Sequence, residues 1–192
     1  SLPQTVSLML LLVAAFLYPV LLTRQFYQHM AILICMYSIL GIAWNFIGGE
    51  AGQISFGQAI FFGIGAYTVA VLGKHFSLNP WLGLIAGAFL AIAVSWVIGK
   101  PTFKLSGTYF TIATLAFGEI AVVLVRRWKW IGGAVGIYMP MQEEGWLNFQ
   151  FHNSKLPYYY IILVFLLLTV LAACYVRHSK LGFYFRAIRS DE

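Results

Sequence analysis

The stretch IGGEAGQISFGQAIFFGIGAY, residues 47–67, is apolar enough for a membrane but contains six glycines, two glutamines, a serine and a glutamate. Glycine weakens helices, and polar side chains are costly in lipid. Gly48, Gly49 and Gly52 fall within five residues, where we expect a membrane helix to break. Such a break is either a plain turn between helices or part of a solute pathway, since transporters use broken helices to present backbone dipoles to a solute.

The composition of the 192-residue chain predicts a membrane protein, because 61% of its residues are hydrophobic and only 9% are charged. A soluble domain carries about 25% charged residues. Apolar runs close to the length of a membrane helix occur six times: Thr5–Leu22, Met30–Ile47, Ile54–Leu72, Trp81–Gly99, Tyr109–Val125 and Pro157–Val176. The sequence therefore predicts an all-α, polytopic transmembrane helix bundle of about six membrane segments, in which broken or re-entrant helices are possible.

The charges and motifs exclude several classes of function. The net charge of +6 comes from basic residues between apolar runs and in the C-terminal tail, which fits anionic lipid headgroups rather than nucleic acid. The chain has no phosphate-binding Gly-x-x-x-x-Gly-Lys-Ser/Thr motif, no metal-ligand spacing of histidines and no catalytic serine elbow. We therefore expect no enzyme, no cofactor and no metal, and any ATP hydrolysis would reside in partner subunits.

A short internal repeat connects two parts of the chain. Trp44–Gly52 reads WNFIGGEAG and Trp128–Gly136 reads WKWIGGAVG, so both fit Trp-x-aromatic-Ile-Gly-Gly-x-x-Gly. With alternating membrane runs the two segments lie at opposite membrane faces, as inverted repeats do. We predict that both flank a solute pathway. The candidate pathway residues are Gly48, Gly49, Gly52, Gln53, Ser55, Gln58, Glu119, Gly132, Gly133 and Gly136.

Glu119 lies ten residues into the run Tyr109–Val125, roughly 15 Å along a helix from its start. An ionisable side chain at that depth is costly and is therefore a functional candidate. Two interpretations remain open: a role in transport, or a hydrogen-bonded packing residue near an interface.

Small residues also mark one face of the run Ile54–Leu72. They recur at spacings of three and four, which places them on one side of a helix: Ser55, Ala59, Gly63, Ala66 and Ala70. Small side chains let membrane helices approach closely. This face is therefore predicted to pack against another helix.

The tail RHSKLGFYFRAIRSDE, residues 177–192, predicts a short amphipathic helix. Its apolar face carries Leu181, Tyr184, Phe185 and Ile188. Such a helix either lies on the membrane surface or docks in a groove of a partner protein.

Four motifs, in this order, resemble those of the permeases of branched-chain amino acid ABC importers, of the LivM type. They are GIAWNFIGGEAGQISFGQAIFFGIGAYTVAVL at 41–72, KLSGTYFTIATLAFGEI at 104–120, IGGAVGI at 131–137 and SKLGFYFRAIRSDE at 179–192. The resemblance implies a multi-pass permease subunit of the bacterial or archaeal cytoplasmic (inner) membrane, forming half of a pathway for branched-chain or related amino acids. Members of the family continue into further membrane helices, so the resemblance also implies a C-terminally truncated chain.

The resemblance further implies partners: a second permease subunit, cytoplasmic ATP-binding subunits and an extracytoplasmic solute-binding protein. Residues 1–176 would form a partial transmembrane permease domain, and residues 177–192 a cytoplasmic tail whose coupling helix sits in a cleft of an ATPase. The implied coupling residues are Leu181, Gly182, Tyr184, Phe185, Arg186 and Ile188. Two alternatives stay open: an ion- or proton-coupled secondary transporter that uses Glu119, and a membrane scaffold that transports nothing.

Overall fold

The computed structural model describes residues 13–19, 21, 24–141, 143–152, 154–180 and 182–185. Five long helices follow one another: α1 (Gln25–Asn45), α2 (Gln58–Phe76), α3 (Pro80–Thr102), α4 (Gly107–Arg127) and α5 (Leu156–His178). A π-helical turn, Phe46–Glu50, continues α1, and a 3₁₀ turn, Lys129–Ile131, follows α4. Residues 13–19 and 182–185 are also helical, and the described ranges contain no β-strand.

Five of the six predicted membrane segments are helices long and apolar enough to cross a membrane. They are Gln25–Glu50, Gln58–Phe76, Pro80–Thr102, Gly107–Arg127 and Leu156–His178. The remaining predicted segment, Thr5–Leu22, lies mostly outside the described residues. The prediction of an all-α, polytopic membrane protein is confirmed, because five helices are long and apolar enough to cross a membrane and many of their apolar side chains are exposed.

The chain divides into two compact units. The first unit comprises Ser1–Ala43 and Phe151–Val176, and the second unit comprises Trp44–Gln150 and Arg177–Glu192. All predicted pathway and coupling residues fall in the second unit, which therefore carries the candidate site.

The first unit has a small core between α1 and α5. It combines small side chains of α1 with larger ones of α5: Ala31, Cys35, Tyr159 and Leu163. The Tyr159 hydroxyl donates a hydrogen bond of 2.7 Å to the Ala15 carbonyl, which gives this buried side chain the polar partner it needs.

In the second unit, α2 and α3 pack antiparallel through glycines. A Cβ atom on Gly87 would lie 3.2 Å from the Cα of Gly65, and one on Gly83 would lie 3.1 Å from the Cα of Val69. Glycines at a helix interface allow such close approach of membrane helices. The two contacts fix the register, since each residue forward along α2 corresponds to one residue backward along α3.

The face of α2 that meets α3 is not the predicted stripe of small residues. The contact with α3 uses Gly65 and Val69, which lie roughly a third of a turn from the predicted stripe of small residues. A Cβ on Gly63, a member of that stripe, would meet no described atom within 4 Å. The glycines of α3 supply the space for close approach, so α3 determines which face of α2 packs against it.

The start of α2 also differs from the prediction. The apolar run begins at Ile54, but Gly52 has a left-handed φ of +77° and residues 52–56 are not helical, so α2 begins at Gln58. The following helix starts conventionally, with Asn79 capping its N-terminus through a side-chain hydrogen bond and Pro80 in the first turn. A break therefore precedes α2, where the glycines predicted one.

Candidate functional site

The break begins in the π-helical turn that ends α1. Gly48 lies under the Trp44 ring, where a Cβ would be 3.2 Å from a ring carbon, and Gly49 lies beside the side chain of Asn45. Both of these larger side chains fold back over the turn, and the glycines leave room for them. Gly52 then adopts φ of +77°, a conformation that side chains disfavour. Three predicted pathway glycines thus shape the break.

Residues 52–57 form no helix and connect this turn to α2. They are termed the extended segment here, as a name only, since Gly52 is left-handed and Gly57 has helical φ and ψ. Side chains bind its polar backbone groups, as non-helical backbone in an apolar layer requires. Trp44 Nε1 donates to the Ser55 carbonyl at 2.9 Å, and the Gly57 amide donates to the Ser55 hydroxyl at 3.3 Å. Ser55 is only 6% exposed, so this predicted pathway residue fixes the backbone of the extended segment.

Two threonines of α4 bind the extended segment as well. Thr111 Oγ1 donates to the Ile54 carbonyl at 2.9 Å, and the Phe56 amide donates to Thr114 Oγ1 at 3.2 Å. Thr114 is buried, at 5% exposure. Further along α4, a Cβ on Gly118 would lie 4.0 Å from the Phe56 carbonyl oxygen. The extended segment therefore runs along α4 from near its start toward its middle.

These contacts place the start of α2 deep within the span. The antiparallel register of α2 and α3 puts Gln58 level with Val94, about 12 Å inside the C-terminal end of α3. Gly118 lies about 17 Å along α4 from its first residue. The start of α2 therefore lies within the length of its neighbours α3 and α4, and residues 52–57 continue along that length without forming a helix.

The N-terminus of α2 presents backbone amides at this depth. No side chain caps the helix at Gly57, and no described residue accepts from the amides of Gln58 and Ala59. A helix N-terminus carries partial positive charge and attracts anions. Gln53 and Gln58, both half-buried, flank this point. The arrangement can bind a carboxylate without a charged side chain.

Glu119 follows Gly118 on α4 and is exposed. Its carboxylate makes no hydrogen bond or ion pair with the described part of the chain. Successive helical residues point about 100° apart, so Glu119 lies at the depth of the extended segment but on another side of α4. The structure brings Glu119 close in depth to residues 52–57 and does not connect it to them by a hydrogen bond.

An ion pair joins the break to the first residue of the predicted tail. Arg177 Nε lies 3.3 Å from Glu50 Oε1, and the Glu50 side chain is 13% exposed whereas that of Arg177 is 67% exposed. Glu50 closes the π-helical turn, and Arg177 opens the predicted tail. The tail therefore starts at the same end of the second unit as the break.

The second repeat, Trp128–Gly136, lies at the other end of the second unit. Three helices, α2, α3 and α4, separate it from the first repeat, and an odd number of crossings puts the two at opposite faces. Its glycines form a tight turn with positive φ values of +87°, +56° and +83°: Gly132, Gly133 and Gly136. The His75 ring stacks on Trp130 with centroids 4.8 Å apart, which ties this turn to the end of α2. The structure thus does not bring the two groups of glycines together.

Comparison with known proteins identifies the family. Residues 26–192 match the family described as branched-chain amino acid transport system / permease component. The chain belongs to this permease family. The predicted resemblance is confirmed by two curated relatives, each named "High-affinity branched-chain amino acid transport system permease protein LivM". The relative from Escherichia coli (strain K12) is 32% identical and that from Salmonella typhimurium (strain LT2) is 31% identical, each over 98% of this chain.

The match to these permeases covers 49% of each relative, so the chain spans about half of their length. No solved structure matches the chain.

The permease tail that is predicted to couple to an ATPase is described only in part. Within the helical stretch 182–185, Gly182 is buried, Tyr184 is 63% exposed and Phe185 is half-buried. Outside the described residues lie Leu181, Arg186 and Ile188. Coupling through this tail stays a prediction.

Sequence reasoning missed the permease residues that hold the break in place. Thr111, Thr114 and Gly118 lie in the family motif at residues 104–120, and their i, i+3, i+7 spacing marks one helix face. That spacing was a usable signal. The sequence contains no comparable signal for Trp44 and Arg177, because their contacts with Ser55 and Glu50 follow from tertiary structure alone.

Proposed function

We propose that the chain is a permease subunit of an ABC importer and forms half of a pathway for branched-chain or related amino acids. It acts with a second permease subunit, cytoplasmic ATP-binding subunits and an extracytoplasmic solute-binding protein. Its location is the bacterial or archaeal cytoplasmic (inner) membrane. ATP hydrolysis resides in the partners. The names of the two relatives support the class of solute.

The observation that carries this proposal is the start of α2 within the apolar layer. An amino acid brings a carboxylate, and the first amides of α2 have no acceptor among the described residues. These amides and the partial positive charge of the helix N-terminus bind the carboxylate. The side-chain amides of Gln53 and Gln58 are nearby polar groups, and apolar walls suit an aliphatic side chain.

The ion pair between Glu50 and Arg177 gives the proposal a mechanical connection. Glu50 belongs to the turn that opens the break, and Arg177 is the first residue of the tail that docks on an ATPase in this proposal. Movement of the tail then acts on the break through this pair. The helices switch the side on which the pathway opens.

Uptake of radiolabelled leucine tests the proposal, with the complete gene product and its partner subunits reconstituted in proteoliposomes. We expect uptake that requires ATP. In this proposal Tyr184→Asp places a charge in the ATPase cleft that receives the tail. An unpaired buried charge costs several kcal/mol, so this variant should lower ATPase retention and leucine uptake at least about tenfold. Tyr138→Asp is the matched control, since Tyr138 is also exposed but lies near the second repeat. It should retain the ATPase.

Other results would replace the proposal. Leucine uptake without any ATPase, abolished by Glu119→Gln, would establish an ion- or proton-coupled secondary transporter. A folded assembly that neither binds nor moves leucine or another aliphatic amino acid would favour a membrane scaffold.

A further inference from the structure

Thr111, Thr114 and Gly118 occupy one face of α4, and all three approach the extended segment. We infer that these residues form a cradle that positions the extended segment and prevents it from joining the α2 helix. They are positioning residues and need not touch the solute. The importance of the cradle for transport rests on the proposed function, whereas its effect on the backbone does not.

The two hydroxyls have different tasks in the cradle. Thr111 Oγ1 carries one proton, and the Ile54 carbonyl at 2.9 Å is nearer than that of Gly107 at 3.3 Å. Its stronger hydrogen bond therefore goes to the extended segment. Thr114 Oγ1 donates its proton to the Thr111 carbonyl at 2.9 Å, which leaves its lone pairs for the Phe56 amide. The cradle thus binds one carbonyl and one amide of the extended segment.

These hydrogen bonds hold two carbonyls of the segment in positions from which they do not accept from the amides of α2. If α2 continued upstream, the Gln58 amide would donate to the Ile54 carbonyl, and the next amide would donate to the Ser55 carbonyl. Thr111 binds the first of these carbonyls and Trp44 binds the second. The first two amides of α2 are therefore left for another acceptor. The cradle creates the feature that a solute carboxylate requires.

Gly118 allows the close approach of the extended segment. A Cβ at this position would lie 4.0 Å from the Phe56 carbonyl oxygen, an ordinary van der Waals distance. Alanine therefore fits, whereas a longer side chain pushes the extended segment away from α4. Gly118→Ala should preserve the cradle and Gly118→Leu should open it.

Residue-resolved amide hydrogen exchange on the unaltered gene product in lipid nanodiscs tests the cradle without any mutation. Ile54 and Phe56 are similarly exposed, at 49% and 55%. Only the Phe56 amide has an acceptor among the described residues, the Thr114 hydroxyl. We expect its exchange to be slower by up to about tenfold, the effect of one hydrogen bond. Equal exchange rates would overturn the inference.

Substitutions of Thr114 provide the second test. Thr114→Val keeps the shape but removes the hydroxyl, so it should raise exchange of the Phe56 amide up to about tenfold. Thr114→Ser keeps the hydroxyl and should restore slow exchange. Thr169→Val is the control, because the Thr169 hydroxyl bonds only to the Phe165 carbonyl of its own helix, at 2.8 Å. Unchanged exchange in a folded Thr114→Val protein would contradict the cradle.

Transport kinetics test the connection to the solute. Thr111→Val frees the Ile54 carbonyl to accept from the Gln58 amide, so KM for leucine uptake should rise several-fold while kcat changes little. Thr111→Ser should restore KM. An unchanged KM beside faster exchange would refute the role of the cradle in solute binding. If the unaltered assembly takes up no leucine, the proposed function fails, and amide exchange still decides whether the cradle exists.

Discussion

Trp44–Gly52 and Trp128–Gly136 follow one nine-residue pattern, but their backbones differ. In the first segment the paired glycines belong to a π-helical turn, and in the second they are left-handed, with φ of +87° and +56°. The third glycine behaves alike in both, with φ of +77° at Gly52 and +83° at Gly136. The pattern alone therefore specifies where the chain turns and not how.

The residues before each glycine pair account for the difference. In the first segment, α1 continues past Trp44, whose ring covers the first glycine of the pair. In the second segment, α4 has already ended at Arg127, and the Trp128 amide closes the helix on the carbonyl of Leu124 at 3.1 Å. Basic side chains at the end of α4 favour headgroups and water over lipid. A glycine pair permits either backbone, and the preceding helix decides between them.

The largest expected effect comes from adding one methyl group to each glycine pair. Gly132→Ala places a Cβ against the Gly136 carbonyl, a rigid backbone group, at a residue with φ of +87°. It should cost at least about 2 kcal/mol of unfolding free energy. Gly49→Ala meets only the end of the Asn45 side chain, which can rotate away. Its cost should stay below about 1 kcal/mol, because alanine also favours the helix.

Thermal unfolding in detergent measures this contrast. A loss of about 2 kcal/mol lowers Tm by about 4–8 °C for a chain of this size. Gly136→Ala separates the effect of backbone strain from that of steric overlap. Gly136 has φ of +83°, but a Cβ there would meet no described atom within 4 Å. Its Tm should fall between those of the other two variants. Equal losses for Gly132→Ala and Gly49→Ala would show that the two turns do not differ as described.

An intermediate effect is expected from the tryptophans that open the two segments. Trp44→Phe removes the hydrogen bond from the indole to the Ser55 carbonyl and should cost about 1 kcal/mol. Trp128→Phe should cost little, because Trp128 is 59% exposed and its indole has no partner in the described part of the chain. Thermal unfolding and amide exchange of residues 52–57 report both effects. Faster exchange in Trp128→Phe than in Trp44→Phe would contradict the role of the Trp44 hydrogen bond in holding residues 52–57.

Much of the fold followed from the length of apolar runs, because a helix is the ready way to satisfy backbone groups in lipid. The start of α2 did not follow. Its run is apolar from Ile54, but Thr111, more than fifty residues later, binds the Ile54 carbonyl and keeps it out of the helix. No local property of the run contains that information. The face of α2 that meets α3 was missed for the same reason.

For the site, sequence reasoning located the break and its polar residues, because glycines and glutamines are conspicuous in an apolar run. It could not separate residues that shape the backbone from residues that face a solute. Ser55 stands among the first, since its carbonyl and hydroxyl are both bound within the chain. The depth of Gln58 also depends on the register with α3, which the sequence does not contain.

The smallest expected effect on stability concerns Glu50, whose counterpart in the second repeat is Ala134. Glu50→Gln breaks the ion pair with Arg177, but that arginine is 67% exposed, so the cost should be at most about 1 kcal/mol and lower at high salt. The rate of leucine uptake should fall by more than this small loss of unfolding free energy explains, because the pair connects the tail to the break. Combining Glu50→Gln with Arg177→Gln should cause no additional loss of uptake. Additive losses would show that the two residues act independently, and the tail would then have to act on the break by another route.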